Sequence, residues 1–489
     1  MRIVVIGSGF GGLSTAIRLR AQGHDVTIVD KQDQPGGVAQ VYHDNGFTLD
    51  AGPSLITAPW LIQELFDLAG KRTADYVTLV PLEPFYTIRF EDGSIFRYSG
   101  LADRFARELR RFDASDIPGY VRLRTAAAGM FESTFPLTER PLTSIAGAAR
   151  IFPDMLRGRT YRSVAAFVND CIADARLRRI LSVHPLFVGG DPGRTPAIYT
   201  LLQTLEQRWG VWFAMGGTGA LVRALVQLFA EQGGVLRLGA EVAEIVIDAP
   251  SRRATGVRLS SGEIVVADAV VSNADVASTY LHLVPSHVRT VETDRRIQSR
   301  SYSTSLFVIC FGTDRRYPDL AHHEILMGTR PETAPGAPVA RPQFPHDFSL
   351  YLHRPTATDP SLAPAGCDSW YVMSTVPNLS AGADWATAAG PYRDAIVQYL
   401  EQRYLPGLAQ HIVAERCIDP RYFRDSLNCH LGSAFSVEPT RGQTGCHRPH
   451  NQSADVRNLY CVGGGTHPGA GLPGVLSSGK IAAQLIGRA

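Results

Sequence analysis

An α/β fold is predicted by this sequence of 489 residues, in which short apolar runs typical of strands alternate with longer periodic patterns typical of helices. The first thirty residues contain the clearest case. A strand pattern from Arg2 to Ile6 leads through a glycine turn into a helix pattern from Leu13 to Gln22, and a second strand pattern runs from Asp25 to Asp30. Gly23 stands where a helix commonly ends. This order predicts a β-α-β unit.

Two later parts of the chain repeat the alternation. A helix pattern from Gly219 to Gln232 precedes strand patterns from Val235 to Ile247 and from Ala254 to Val271. Near the C-terminus, a strand pattern from Leu459 to Val462 precedes three glycines and a closing helix pattern from about Pro473 to Ile486. We therefore expect one Rossmann-like unit assembled from three separated segments, residues 1–75, 211–280 and 441–489.

The intervening segments have other patterns. Residues 76–100 contain strand runs, of which Phe85 to Phe90 and Ile95 to Tyr98 are predicted to form a hairpin. Residues 101–210 are mostly helical and predict a helical insertion. Residues 281–440 are strand-rich and predict a second, mixed-sheet domain. Its strand patterns and one predicted surface loop are Ser303 to Phe311, Phe348 to His353 and Trp370 to Val376, with the loop from Thr329 to Phe344.

Composition and charge exclude several classes of protein. A hydrophobic fraction of 45% and a charged fraction of 19% describe a globular chain, and a net charge of +2 does not favour nucleic acid as a partner. The seven cysteines include no C-x-x-C pair, which argues against a disulfide framework or a zinc cluster and favours a reducing, cytoplasmic location. We see no signal-peptide pattern and no window of 18 apolar residues, so any membrane contact is expected to be peripheral.

A glycine motif lies between the first predicted strand and helix, and it reads Gly7-x-Gly9-x-x-Gly12. Such glycines allow a tight turn, a close approach of the backbone to a pyrophosphate, and close packing of the helix on the strand. The N-terminus of the helix adds free N–H groups for phosphates. Asp30 ends the second strand, where its carboxylate can accept hydrogen bonds from a ribose. The motif therefore predicts a dinucleotide site.

Further glycines favour FAD over NAD as this dinucleotide. Gly36-Gly37 follows the acid, and Asp50-Ala51-Gly52-Pro53 follows a strand-like run. Gly463-Gly464-Gly465-Thr466 precedes the closing helix. Glycines dispersed in this way suit a long, extended cofactor, and no second G-x-G-x-x-G motif follows a strand elsewhere. We expect the closing helix, which begins near Pro473-Gly474, to bring its positive end near the flavin.

Several strings together resemble the bacterial phytoene desaturases, a group of flavin amine-oxidase-like enzymes, over essentially the whole length: VIGSGFGGLSTAIRL, GFTLDAGPSLIT, GGTGALV, VVSNAD and VGGGTHPGAGLPGVL. The resemblance implies a Rossmann-like FAD-binding domain, a mixed-sheet substrate domain and a helical, membrane-facing insertion. It also implies desaturation of phytoene to more conjugated carotenoids, lycopene or an intermediate. The residues that it places around the cofactor are Gly7, Gly9, Gly11, Gly12, Asp30, Gly36, Gly37, Gly52, Pro53, Val242, Gly464, Gly465, Pro473, Gly474 and Val475.

Two positions depart from the family's pattern. The double glycine is usually followed by arginine and here by Val38, and Met215 stands where relatives commonly carry a basic residue. A guanidinium that would contact the cofactor's phosphates or ribose is missing, so we expect weaker FAD binding. Two alternatives stay open: a polyene isomerase or saturase on the same fold, and a carotenoid-binding protein with a degenerate flavin site.

Desaturation of a polyene requires few acidic or basic catalytic side chains. A hydride passes from an allylic carbon to flavin N5, a neighbouring proton is lost, and a quinone or oxygen is the expected electron acceptor. The sequence does not identify a catalytic base. Arg150 is a candidate polar residue at the mouth of an apolar tunnel, although a solvated arginine is the simpler explanation.

Two further features bear on partners. The segment from Leu142 to Arg162 has apolar residues at helical spacing among arginines, which predicts docking on a membrane surface, with a buried helix as the alternative. The pairs His322-His323 and Cys446-His447, the latter with His450, contain metal-ligating side chains without a companion spacing. We predict that these histidines lie in loops and that there is no metal site.

Overall fold

A computed structural model describes residues 1–141, 162–328 and 348–489. The strands are β1 (Arg2–Ile6), β2 (Asp25–Val29), β3 (Val41–Asp44), β4 (Phe47–Asp50), β5 (Leu79–Pro81), β6 (Tyr86–Phe90), β7 (Ile95–Tyr98), β8 (Trp212–Ala214), β9 (Val235–Arg237), β10 (Val242–Asp248), β11 (Arg253–Leu259), β12 (Ile264–Val266), β13 (Ala269–Ser272), β14 (Ser305–Thr313), β15 (His323–Met327), β16 (Leu350–His353), β17 (Asp368–Val376), β18 (Ile412–Ile418) and β19 (Leu459–Cys461). The helices are α1 (Phe10–Ala21), α2 (Pro59–Asp67), α3 (Ala102–Asp113), α4 (Ile117–Thr134), α5 (Val164–Asn169), α6 (Ala175–Leu181), α7 (Leu201–Trp209), α8 (Gly217–Glu231), α9 (Val276–Ser278), α10 (Asp294–Gln298), α11 (Trp385–Arg403), α12 (Leu408–His411), α13 (Pro420–Asp425) and α14 (Leu472–Ile486).

A five-stranded parallel sheet carries the glycine motif. Its strand order is β19-β13-β1-β2-β9, so it takes strands from the N-terminal, middle and C-terminal parts of the chain. The helices α1, α8 and α14 pack together over one face, and α1 is buried over most of its length because it lies between the sheet and α14. The predicted α/β class and the β-α-β unit at the N-terminus are confirmed.

Two predicted strands are wrong in their extent. The run from Val235 to Ile247 forms β9 and β10, which belong to different sheets, because the chain turns between them at Gly239 with φ +62°. The run from Ala254 to Val271 forms β11, β12 and β13, since Gly262 closes a tight turn with φ +90° after β11. The strands β10, β11 and β12 form a separate antiparallel sheet.

A second large sheet is mixed and has seven strands, in the order β18-β14-β17-β16-β15-β6-β7. The predicted hairpin β6–β7 joins it through a parallel pairing of β6 with β15. The strand β14 is buried on both faces. Phe307, Ile309 and Phe311 pack in the cluster that contains α11, whereas alternate residues such as Leu306 and Val308 pack towards the helical region. The sheet thus separates α11 from the interior of the molecule.

The helices α3 to α7 cover the interior face of this sheet, and their apolar side chains join the same core as Leu306 and Val308. Nearly all of the predicted membrane segment, Leu142 to Arg162, lies outside the described residues, as do Arg150 and the predicted loop from Thr329 to Phe344. Within the described ranges, no helix has both the length and the apolar character that crossing a bilayer requires.

Candidate active site

The three motif glycines in the turn between β1 and α1 cannot take a side chain without strain or a close contact. Gly7 has φ +94°, a region that favours glycine. A Cβ atom at Gly12 would lie 2.0 Å from the carbonyl oxygen of Gly7, and one at Gly9 would lie 2.9 Å from Nδ2 of Asn273. Gly9 caps α1 without a side-chain hydrogen bond, which leaves the first N–H groups of the helix available to an anion.

Asp30 lies directly beside this turn and is buried. Its Oδ2 accepts hydrogen bonds from the backbone N–H of Ser8, at 2.7 Å, and from the hydroxyl of Ser8, at 2.5 Å. Its Oδ1 accepts from the backbone N–H of Gln32, at 2.9 Å. The carboxylate therefore fixes the glycine turn, and it also lines a cavity that opens beside the carboxyl ends of β1 and β2.

Two adjoining cavities collect most of the predicted cofactor residues. The first is lined by Gly7, Gly9, Asp30, Gly37 and Val242. The second is lined by Gly9, Gly11, Gly36, Gly37, Gly52, Pro53, Gly464, Gly465, Pro473, Gly474 and Val475. Gly12 lines neither cavity, because it packs against Gly7 beneath the turn.

The two cavities share five residues: Gly9, Gly37, Asn273, Ala274 and Leu427. They therefore meet at the glycine turn and form one elongated space, which fits an extended dinucleotide such as FAD. Backbone lines the meeting point so closely that a Cβ at Gly11 would lie 2.4 Å from Oδ1 of Asn273. Asn273 was missed as a site residue, although it falls within the VVSNAD string.

The closing helix α14 begins at Leu472, one residue before the predicted start. Gly471 caps it with φ +91° and no side-chain hydrogen bond, so its first N–H groups are also free to face a ligand. The loop before it is braced by Arg448, a buried residue that the sequence did not reveal. Its guanidinium donates to the carbonyl oxygens of Thr466, Val437 and Gly464, at 3.0, 3.0 and 2.6 Å. Burial lowers the pKa of Arg448.

Asp50 joins the end of β4 to the start of α8. Its Oδ2 accepts from the backbone N–H of Thr218 at 2.8 Å. A Cβ at Gly217 would lie 2.3 Å from the same oxygen, so glycine is required for this contact. Burial raises the pKa of Asp50 from 3.8 to about 6, against the lowering effect of the hydrogen bonds from the helix.

We expect Asp50→Asn to reduce the loss of stability between pH 4 and pH 7. Because the pKa of Asp50 is higher in the folded chain, its stabilising effect is present below about pH 4 and is lost as the pH rises through about 6. A shift of two units corresponds to about 3 kcal/mol in the free energy of unfolding. Urea unfolding across this pH range measures the effect, with Asp67→Asn as the matched change at an exposed aspartate. Equal pH slopes in wild type and Asp50→Asn would contradict the expectation.

The far side of the second cavity is apolar. Phe187, Leu202 and Leu205 line it from the helical region, and Leu306 and Met373 line it from the seven-stranded sheet. The same cavity is therefore bounded by backbone-rich glycine loops at one end and by apolar side chains at the other. This arrangement can hold a cofactor next to a long apolar molecule and keep water from the contact between them.

A buried histidine cluster lies behind this wall. His322, His323 and His353 have ring centroids 4.5 to 5.0 Å apart, and one nitrogen from each lies within 4.8 Å of the others. The prediction of loop histidines without a companion is wrong for this pair, because His323 begins β15 and pairs with His353 across the sheet. Burial lowers the pKa of all three rings, which favours neutral imidazoles.

Hydrogen bonds account for the positions of these rings. Nε2 of His322 lies 3.0 Å from Nε2 of His353, and Nδ1 of His322 lies 2.6 Å from the hydroxyl of Thr358. Nδ1 of His323 lies 2.8 Å from the hydroxyl of Tyr351, which is itself 2.6 Å from the hydroxyl of Ser54. Tyr351 and Ser54 line the second cavity, so the cluster supports its wall.

The fold and the site together define a class of protein. Residues 10–487 match the family described as flavin containing amine oxidoreductase. Solved structures share the fold over nearly the whole chain. An oxidoreductase from Methanosarcina mazei has a TM-score of 0.66 and 18% identity, with 99% of both chains covered. Cyclohexylamine oxidase from Brevibacterium oxydans has a TM-score of 0.64 and 16% identity, with 99% of this chain and 98% of that chain covered. The chain is thus an FAD-dependent oxidoreductase.

Relatives of higher identity define the family more narrowly. A lycopene-forming phytoene desaturase of Pseudescherichia vulneris is 44% identical, and each chain is covered to 99%. A lycopene-forming phytoene desaturase of Pantoea ananas is 43% identical, with 99% and 98% covered, and a neurosporene-forming phytoene desaturase of Rhodobacter capsulatus is 39% identical, with 99% and 94% covered. The chain belongs to the bacterial phytoene desaturase family, as the sequence strings predicted.

Proposed function

We propose that this enzyme desaturates phytoene to more conjugated carotenoids, lycopene or an intermediate, in carotenoid biosynthesis. One observation carries the proposal: the second cavity joins the glycine loops to an apolar chamber with few polar groups. The relatives that form lycopene or neurosporene from phytoene support it, since they align over the full length. A long hydrocarbon substrate requires such a chamber, because it offers no polar group for recognition.

We propose that the predicted cofactor residues hold FAD along the two cavities. The turn at Gly7 and Gly9 and the N-terminus of α1 would take the pyrophosphate, and Asp30 would take the adenosine ribose. The loop at Gly464 and Gly465 and the N-terminus of α14 would face the flavin. Bound FAD supplies an acceptor for a hydride.

The apolar residues of the second cavity would hold the substrate. Leu202, Leu205 and Leu306 line the chamber on two sides, so they can hold the polyene extended and keep water away from the reacting carbons. Each desaturation removes two hydrogens from neighbouring carbons and lengthens the conjugated system. A quinone or oxygen then takes the two electrons.

Membrane docking completes the proposal, because phytoene is too insoluble to arrive through water. We propose that the segment from Leu142 to Arg162 contacts the cytoplasmic face of the inner membrane. The support for this contact is the pattern of apolar and basic residues in the sequence alone. Liposome sedimentation tests it. The double variant Phe152→Asp/Leu156→Asp should stay in the supernatant, and equal sedimentation of variant and wild type would remove this part of the proposal.

Expression in a phytoene-accumulating bacterium tests the activity. The cells should turn yellow to red as conjugation grows, and phytoene should fall by chromatography. Colourless cells that contain flavin-loaded protein and undiminished phytoene would rule out phytoene desaturation and favour an isomerase or saturase. Colourless cells in which the purified protein carries carotenoid but no flavin would favour a binding protein.

Val38→Arg should tighten FAD binding. Val38 lines the second cavity directly after Gly37 and is 42% exposed, so an arginine has space to reach the cofactor. One charge-assisted hydrogen bond contributes about 1.5 to 3 kcal/mol, or roughly tenfold to hundredfold in the dissociation constant. Equilibrium titration with FAD measures this, with Val38→Met as the uncharged control of similar length. Unchanged or weaker binding would mean that this loop does not contact the cofactor's charged groups.

A further inference from the structure

The apolar chamber of the second cavity contains an acidic side chain. Glu206 lies on α7 next to Leu205, is 2% exposed, and lines the cavity. Among the described residues that line this cavity, Asp275 is the other carboxylate, and both of its oxygens already accept hydrogen bonds. Its Oδ1 caps α9 by accepting from the N–H groups of Ala277 and Ser278, and its Oδ2 accepts from the hydroxyl of Ser436. Glu206 is thus the carboxylate on the apolar side.

Two side chains from other elements hold Glu206 in one orientation. The hydroxyl of Tyr86, on β6, donates to Oε1 at 2.6 Å, and Nε2 of His184 donates to Oε2 at 2.9 Å. Burial and the neighbouring Glu206 raise the pKa of Tyr86, so this hydroxyl remains a donor. Within the described parts of the chain, no lysine or arginine forms an ion pair with Glu206. The ion pair open to Glu206 is the contact with His184. A buried carboxylate without a lysine or arginine partner is costly, which points to a use in the cavity.

The desaturation reaction provides that use. Loss of a hydride leaves positive charge on the substrate carbon, and a fixed carboxylate stabilises positive charge strongly where water is excluded. We propose that Glu206 is a catalytic residue that stabilises this charge and accepts the proton. This inference rests on the proposed function. One C–H bond breaks, and its hydrogen passes to bound FAD together with both bonding electrons, as a hydride. The neighbouring C–H bond gives its electron pair to the new C=C bond, and its proton goes to the carboxylate of Glu206.

Glu206→Gln separates charge from structure. The glutamine carbonyl can still accept from Tyr86, and its amide can donate to Nε2 of His184 in the tautomer that carries its hydrogen on Nδ1, so both contacts and the side-chain volume can be kept. Tyr86→Phe is the complementary change, because it keeps the carboxylate and removes one hydrogen bond. Tyr86 acts as a positioning residue. Glu132→Gln is the control, since Glu132 is an exposed carboxylate on α4 that forms an ion pair at 2.5 Å with Arg208 of α7, the helix that carries Glu206.

The first measurement is anaerobic flavin reduction by liposomal phytoene in the full-length, FAD-loaded enzyme. Glu206→Gln should reduce flavin at least a hundredfold more slowly than wild type, with unchanged FAD content and melting temperature. Deuterium at the carbon that loses the proton should slow Glu206→Gln more than wild type. The rate of flavin reduction should fall about tenfold or less in Tyr86→Phe and should match wild type in Glu132→Gln.

The second measurement is binding, without turnover. A long isoprenoid amine, whose ammonium group imitates the developing charge, should bind the oxidised holoenzyme at least tenfold more tightly than the corresponding alcohol, as read from the flavin spectrum. Glu206→Gln should lose this preference. A variant that retains both the amine preference and the wild-type rate of flavin reduction overturns the inference and leaves the proposed function intact. If the rate of flavin reduction falls equally in Glu206→Gln and Tyr86→Phe, with unchanged isotope effects, the inference is also overturned. Glu206 then has a structural role. Failure of wild type to reduce its flavin with phytoene instead rejects the proposed function.

Discussion

Gly12→Ala is expected to yield protein that does not retain FAD. The added Cβ would lie 2.0 Å from the carbonyl oxygen of Gly7, and neither atom belongs to a flexible side chain that could move away. The start of α1 would have to shift away from β1, and the turn at Gly9 would shift with it. We expect a loss of about 3 kcal/mol in cofactor binding, or roughly a hundredfold in affinity. The flavin-to-protein absorbance ratio of the purified variant measures the result.

Gly129→Ala is the matched control for this change. Gly129 lies within α4, and a Cβ there would meet no atom within 4 Å. Alanine is the better helix former by up to about 1 kcal/mol, so the control should load FAD fully and be slightly more stable. Wild-type flavin content in Gly12→Ala would show that the turn tolerates a side chain and would remove it as the pyrophosphate site.

Arg448→Met is expected to destabilise the protein by about 3 to 5 kcal/mol. The guanidinium donates to three backbone carbonyl groups, those of Val437, Gly464 and Thr466, and methionine would leave all three without this donor, two of them buried. Because Gly464 lines the second cavity, FAD affinity should fall as well. Urea unfolding monitored by circular dichroism gives the first quantity, and flavin titration gives the second.

Arg441→Met removes an exposed arginine from the same stretch and should change the free energy of unfolding by less than about 0.5 kcal/mol. If Arg448→Met unfolded at the same urea concentration as this control, the three hydrogen bonds would not hold the loop. A loss of stability with unchanged FAD affinity would place the effect of Arg448 away from the cofactor.

The dinucleotide unit was predictable because its signals are local. Gly7, Gly9 and Gly12 lie in a single turn, and Asp30 ends the next strand, so strand, helix and acid can be recognised within thirty residues. The closing helix was predicted to within one residue for the same reason, since glycines and Pro473 mark its start. In each case the residues that act together are also neighbours in the chain.

The remaining features depend on contacts between distant parts of the chain. His353 joins His322 and His323 only because β16 pairs with β15, and no spacing rule connects them. Glu206 gains its partners from β6 and from a short 3₁₀ turn, and Arg448 binds carbonyl groups on either side of its own loop. Burial, which gives these polar groups their importance, is a property of the packed molecule and is not visible in residue order.

The order of strands in the parallel sheet sets the time at which the enzyme can mature in the cell. The outer strand β19 pairs with β13, and α14 packs on α1, yet both elements are synthesised after every other strand and helix of the described residues. Until then β13 has an unpaired edge, which invites association with other chains. Flavin capture must therefore wait until residues 459–486 have been synthesised, and a stop codon before residue 459 should give aggregated, colourless protein even though every residue of the G-x-G-x-x-G motif has been translated.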